Sequence, residues 1–172
     1  MGPDGKGRGA PEARREGGTN VFAYDLEHIF SYTVTIAEPE VVGPVPGGVR
    51  ANFYATGGEV TGPKLTGKVR PVGGDWLTLR TDGVTVLDIR NTLEVGEGAL
   101  VDVSLSGVGD LGADGYERFM RGELPPTVAL RVSARFMSAH PEFAWLNRLQ
   151  CLAVGEFDSE NSRAGWDVYA VR

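Results

Sequence analysis

The sequence predicts an all-β protein: an antiparallel β-barrel of about eight or nine strands with one short helix. Three observations carry this. Apolar and polar residues alternate with period two along most of the chain beyond residue 25, as in strands with one buried face. The runs are short and Gly-rich turns separate them, and the chain holds 25 glycines in 172 residues. At Thr81-Asp82-Gly83 two extended runs meet at an Asp-Gly pair, the signature of a tight hairpin. Closing such a meander into a barrel removes its exposed edges.

The elements follow in order. Residues 1–20 are rich in Gly, Pro and charge and have no apolar segment, so they read as a disordered tail and not a signal peptide. Residues 21–172 read as a single barrel domain. In 27–36, His28, Phe30, Tyr32, Val34 and Ile36 oppose Glu27, Ser31, Thr33 and Thr35, which predicts a strand with His28 on its apolar face. The prolines and glycines of 38–48 predict a loop. Residues 49–56 form the next strand, and Gly62-Pro63-Lys64 turns between two short ones. The hairpin around Asp82-Gly83 follows, then a strand over 99–108. In 114–124, Tyr116, Phe119 and Met120 fall at helical spacing, with Asp114 as a candidate cap and Pro125-Pro126 as the stop. A strand over 128–137, a loop through His140, the short piece Ala144–Asn147 and two final strands complete the chain.

Composition narrows the function. A net charge of −6 argues against nucleic acid as a partner, which requires Lys and Arg to replace counterions. No stretch reaches the length of about 20 apolar residues that a membrane helix needs. The one cysteine, Cys151, sits in an apolar run and reads as a small buried hydrophobe, and the absence of a possible intrachain disulfide fits a cytoplasmic protein. No His-x-His, HExxH or CxxC is present, and no glycine pair lies in a nucleotide-loop frame, so neither a metal nor another cofactor is expected.

The polar residues that could serve a ligand lie on strand faces and in one loop. Within 84–95, one face carries Asp88 and Arg90 and the other carries Thr85, Leu87, Ile89, Asn91 and Leu93. Either the apolar face fills the lumen and Asp88 and Arg90 meet water, or the charged pair lines a polar cavity. Arg50, Asn52 and Tyr54 share one face of their strand and raise the same choice: a wet exterior, or groups that orient a carbonyl. Arg131 and Arg135 alternate with Leu130, Val132, Ala134 and Phe136. Arg131 reads as an exterior position, whereas Arg135 ends its strand, where a barrel mouth is built. Asp75-Trp76 follows two glycines. An acid beside an aromatic surface gains a raised pKa and suits proton transfer, although a turn Asp with a core Trp is the plainer reading. His140 lies in a loop and its imidazole suits acid–base work, and its neighbours Trp145 and Asn147 are candidates for shaping a pocket mouth. The candidate catalytic residues are therefore Asp75, Asp88, His140 and Tyr54. The candidate substrate-binding residues are Arg50, Asn52, Trp76, Arg90, Arg135, Trp145 and Asn147.

The stretch "TGGEVTGPKLTGKVRPVGGDWLTLRTDGVTVLDIRNTLE", followed by "GAL" and later "RFMSAHPEFAWLNR", resembles the DUF3237 family, also called UPF0311, across residues 26–170. Two places depart from the family pattern: Gly73-Gly74-Asp75-Trp76 lacks an alanine before the acid, and Ile89-Arg90-Asn91 replaces an A-R-Y segment. The resemblance implies a mostly bacterial barrel related to the allene oxide cyclase and lipocalin-like barrels, with a ligand cavity.

Three functions fit a barrel of this kind. The first is a cofactor-independent lyase, isomerase or cyclase acting by acid–base chemistry on a small, mostly apolar molecule, in a homodimer or higher homo-oligomer. The second is a non-catalytic carrier or sensor of such a molecule. The third is a structural protein with a filled core. Two titratable groups at one open volume favour the enzyme, a single polar anchor favours the carrier, and a solid lumen favours the third.

Overall fold

The structure, a computed structural model, describes residues 22–172. The tail expected over residues 1–20 lies outside the described residues.

Nine strands follow in chain order: β1 Leu26–Ile36, β2 Glu40–Val45, β3 Gly48–Thr61, β4 Gly67–Leu79, β5 Val84–Val95, β6 Ala99–Asp110, β7 Thr127–Met137, β8 Cys151–Asp158 and β9 Arg163–Val171. Helix α1, Gly115–Met120, connects β6 to β7, and a 3-10 helix, Pro141–Arg148, connects β7 to β8. All strand pairs are antiparallel. β1 pairs with both β9 and β3, which closes eight strands into a ring, β1-β3-β4-β5-β6-β7-β8-β9. β2 lies outside the ring against the first half of β3, from Glu40–Asn52 to Val45–Gly48.

Three expectations need correction. Residues 40–45 form an edge strand where a loop was predicted. Pro44 is tolerated there because one side of β2 has no neighbour to receive an N–H. β3 and β4 are long strands, not short pieces, because their glycines bend the chain without ending it: an ideal Cβ on Gly74 would lie 2.3 Å from the Phe53 carbonyl oxygen. His28 is exposed. A bulge between His28 and Phe30 shifts the alternation, so that Ile29 and Phe30 are both fully buried and His28 turns outward. There its Nε2 meets Ser31 Oγ at 3.0 Å, and Ser31 Oγ donates to Asp167 at 2.6 Å.

The expected helix is real but shorter. Asp114 stands at its N-terminus without a side-chain capping bond, and Gly122 follows its end with φ +78°. Tyr116 and Phe119 pack on the core, while Met120 is half exposed.

The two ends of the barrel differ. At the end covered by the 3-10 helix the lumen is solid. Phe30 meets Phe136 edge-on with centroids 5.1 Å apart, and Leu93, Val101, Val103 and Leu146 are fully buried around them. Toward the end covered by α1 the lumen stays partly open.

Candidate functional site

Under α1 the lumen holds a cavity of about 80 Å³. A single water needs about 10–15 Å³ on this measure, so the space takes several waters or a small organic molecule. Its walls are the inward faces of β1, β3, β4, β5, β7 and β9. Leu111, Phe119 and Leu124, from the segment that leaves β6 and carries α1, close the mouth with Phe157. Phe53 and Phe157 meet edge-on across it at 6.0 Å. Trp166 lies in the wall and stacks on Tyr32, centroids 5.1 Å apart.

The lining is almost wholly apolar. Its one ionisable side chain among the described residues is Asp75, and its polar company is Thr85 and Asn91. The ladder explains how an acid reaches this place. β4 carries extra residues at 70–72 relative to β5, so the register moves from Val69–Leu93 to Gly73–Asn91, and Asp75 then falls between Phe53 on β3 and Ile89 on β5. Pro71 sits in this outward bulge, where no ladder bond is asked of it. Gly73 has φ +86°, and a Cβ there would lie 2.1 Å from the Arg90 carbonyl oxygen. Only glycine allows so close a backbone approach.

Asp75 Oδ1 accepts the main-chain N–H of Asp88 at 2.9 Å. Removal from water pushes the Asp75 carboxyl up from 3.8 to about 7. The Asp88 N–H lowers it, the Asp88 charge raises it, and the Arg50 charge lowers it. Burial wins because one hydrogen bond replaces only part of a carboxylate's hydration.

Thr85 is fully committed to the wall. Its hydroxyl donates to the Gly109 carbonyl at 3.1 Å and accepts the Gly109 N–H at 3.0 Å. Asn91 is 4% exposed, faces inward, and its Oδ1 has no hydrogen-bond partner.

Of the residues singled out in the sequence, Asp75 alone lines the cavity. Trp76, next along the strand, points to the outer face because successive side chains alternate, and it meets the Tyr54 ring edge-on at 6.5 Å. Arg50, Asn52 and Tyr54 share that outer face. Arg50 donates to Thr78 Oγ1 at 3.0 Å, and the Tyr54 hydroxyl donates to Glu40 of β2 at 3.0 Å. The cavity-lining alternative for Asp88 and Arg90 does not hold. Their side chains are 57% and 51% exposed, they pair at 3.4 Å, and Arg90 donates to Ser104 Oγ. The apolar face of β5 takes the inside, since taking a row of charges out of bulk water costs far more than burying apolar side chains.

Arg135 is exposed on the outside of β7 beside Ser104. His140, Trp145 and Asn147 belong to the opposite end of the barrel, where Ser138 Oγ donates to Leu100 O at the start of β6. Asn147 is a clamp there: its Oδ1 accepts Ser138 N–H at 2.8 Å and its Nδ2 donates to Ser138 O at 2.9 Å. His140 is exposed with its ring 5.5 Å from Phe143. Cys151 is buried and its thiol is pushed up to about 11 by burial, which leaves it without thiolate at neutral pH.

Asn91, Phe53, Phe119, Phe157 and Trp166 are lining residues that were not singled out. Period two had already placed Asn91 on the apolar face of 84–95 and Phe53 on the face opposite Arg50, Asn52 and Tyr54, and the structure shows that these faces point inward. No local signal in the sequence brings the segment 111–124 over the barrel mouth.

Among the described residues no cluster of His, Cys, Asp and Glu could hold a metal, and no helix is long and apolar enough to cross a membrane. The chain is similar to a UPF0311 protein of Rhodopseudomonas palustris, 30% identical over 149 residues, covering 86% of this chain and 96% of the relative. It is also similar to a UPF0311 protein of Bradyrhizobium diazoefficiens, 32% identical over 71% of this chain and 81% of the relative. The crystal structure of a Rhodopseudomonas palustris protein of unknown function superposes with TM-score 0.78 at 26% identity, covering 88% of this chain and all of that one. A Penicillium herquei protein described as an enzyme shares the fold at TM-score 0.64 and 20% identity, covering 90% of this chain and 99% of that one. The family model for DUF3237, a protein of unknown function, matches residues 24–171, and so the chain belongs to the DUF3237 family.

Proposed function

We propose that the barrel binds a small, largely apolar molecule under α1 and that Asp75 moves a proton on it, as in a cofactor-independent isomerase, lyase or cyclase. The observation that carries this is the Asp75 carboxyl, held inside an apolar lumen with a pKa of about 7. Near neutrality such a group is present in both forms, so it takes a proton from a bound molecule and returns it elsewhere without a second residue. The dry wall strengthens its interaction with developing charge. A cytoplasmic setting belongs to the same proposal and is supported by the free, buried Cys151.

A second reading is a carrier, favoured by Asp75 being the single ionisable lining residue among those described. The two part on one measurement. In D2O, the wild-type protein is expected to catalyse deuterium exchange at the α-carbon of a compact ketone such as cyclohexanone, followed by NMR. Asp75→Asn should lower the exchange rate by about 10²–10⁴-fold. Saturable binding of the ketone with exchange no faster than in buffer leaves the carrier and removes the enzyme.

A further inference from the structure

Residues 111–126 run from the end of β6 to the start of β7 and carry α1 over the cavity. Both ends of this strap are tied to the barrel. At the first, Leu111 N–H donates to Gly83 O at 3.0 Å, and Gly115 packs so closely on the same turn that an added Cβ would lie 3.4 Å from the Gly83 Cα. At the second, Ser159 holds both prolines: its hydroxyl donates to Pro125 O at 2.8 Å and its N–H donates to Pro126 O at 3.0 Å.

The middle of the strap has no such ties. Among the described residues, the hydrogen bonds and ion pairs of residues 116–124 all stay within the strap. Arg118 N–H donates to Asp114 O at 3.0 Å, Glu123 N–H donates to Arg118 O at 2.9 Å, and the Glu123 carboxylate pairs with Arg121. Tyr116, Phe119 and Leu124 touch the core, yet no residue from 116 to 127 is fully buried. Gly122 sits at φ +78° with nothing within 4 Å of an added Cβ, so the chain has a free joint there.

We infer that residues 116–124 are a lid, hinged between the Gly83–Gly115 contact and the Ser159 clasp, that lifts from the barrel mouth and is drawn down by a molecule in the cavity. Opening the ring elsewhere breaks a ladder of hydrogen bonds, whereas lifting this segment breaks none to the barrel and parts apolar contacts alone. Phe119 and Leu124 line the cavity, so an occupant meets both of them with the lid down and neither with it up. That difference in contact shifts the lid toward closure, and closure shuts water away from the occupant. The inference goes beyond proton transfer, since a carrier would close in the same way, but it rests on the cavity taking a ligand.

Amide hydrogen exchange tests it. A helix of six residues does not persist away from its support, so lifting the lid exposes the N–H groups of Arg118, Arg121, Gly122 and Glu123. In the free protein these should exchange by a local opening that is insensitive to low urea, while the β5 amides should exchange through global unfolding. Cyclohexanone at about ten times its dissociation constant should slow the lid amides by about 10-fold. Phe119→Ala, checked for its fold by circular dichroism, should speed their exchange by about 10-fold or more in the free protein, through the lost packing. Lid amides that exchange with the free energy and urea dependence of β5 overturn the inference. So does exchange in Phe119→Ala no faster than in wild type, and so does a failure of cyclohexanone to slow the lid amides, whether or not it binds. Deuterium exchange at the ketone reports on Asp75 alone. Its absence beside slowed lid amides removes the proton-transfer reading and leaves the lid, while its presence with lid amides unchanged does the reverse.

Discussion

The Asp75 carboxylate accepts the main-chain N–H of Asp88, 2.9 Å away on the neighbouring strand. The β4–β5 ladder pairs Asp75 with Ile89 and resumes at Thr78 with Val86, and the acid serves this N–H between those pairs. One carboxyl oxygen is thus tied to the sheet, and the group as a whole faces the lumen. The fold holds an acid where an apolar residue would be expected, and its titration follows from that.

The folded-state pKa of Asp75, about 7, lies above its ordinary 3.8. The folded chain therefore holds the proton more tightly than the unfolded chain. The resulting stability is fully present below pH 3.8 and is lost as pH rises through about 7. Asp75→Asn keeps an oxygen for the Asp88 N–H and cannot ionise. We expect it to melt at a temperature similar to wild type at pH 4 and higher at pH 8, with a difference on the order of a few kcal/mol. Melts of the two proteins across pH 4–8 check this. The exposed acids Glu27, Glu94, Glu123 and Asp158 are shifted the other way and are common to both proteins, so they cancel in the difference.

The charges outside the barrel are felt through its wall. Asp88 raises the Asp75 pKa and Arg50 lowers it. Asp88→Asn should therefore move the titration of Asp75 to lower pH and Arg50→Ala to higher pH. Carboxyl carbon NMR of the selectively labelled aspartates reads the sign directly, and matching shifts in both variants would contradict it.

Breaking the exposed Asp88–Arg90 pair should cost no more than about 1 kcal/mol, because both charges are already solvated. Arg90→Ala should leave cyclohexanone affinity within about twofold of wild type, a difference of a few tenths of a kcal/mol, since the side chain lies outside the cavity. Urea denaturation and calorimetry measure the two effects separately.

Ala164 lies in the wall, 3% exposed. Ala164→Leu should occupy the cavity, reduce affinity for any six-membered-ring probe by about 10-fold or more, and change stability by no more than about 1–3 kcal/mol. Undiminished affinity would place the ligand elsewhere.

Asn147 belongs to the other end. Asn147→Ala strips both bonds from Ser138, N–H at 2.8 Å and C=O at 2.9 Å, and should destabilise by about 1–3 kcal/mol without changing probe affinity. A denaturant midpoint that falls together with probe binding would join the two ends functionally.

Much of the barrel was legible in the sequence because alternation is a local property. The pattern of 84–95 placed Leu87, Ile89, Asn91 and Leu93 on one face, and the Asp82-Gly83 turn fixed the hairpin that orients them. Alternation also held Asp88 and Arg90 together on the other face. What it left open was which face met water, and burial of the apolar row decides that. The pairing of Asp75 with Trp76 as one site failed for the same local reason, since neighbours on a strand point to opposite sides. His28 failed because a one-residue bulge inverts the alternation behind it.

The sequence by itself determined most of the strands and which residues share a face, and it singled out the carboxyl at position 75. The tertiary structure decided the rest. The register slip at 70–72, the closure of β1 on β3 and the path of 111–124 over the mouth are long-range pairings, selected by how much apolar surface the closed ring buries. They turn Asp75 and Asn91 into diagonal neighbours on one wall of the cavity, and they leave His140 and Asn147 at the far end of the same barrel.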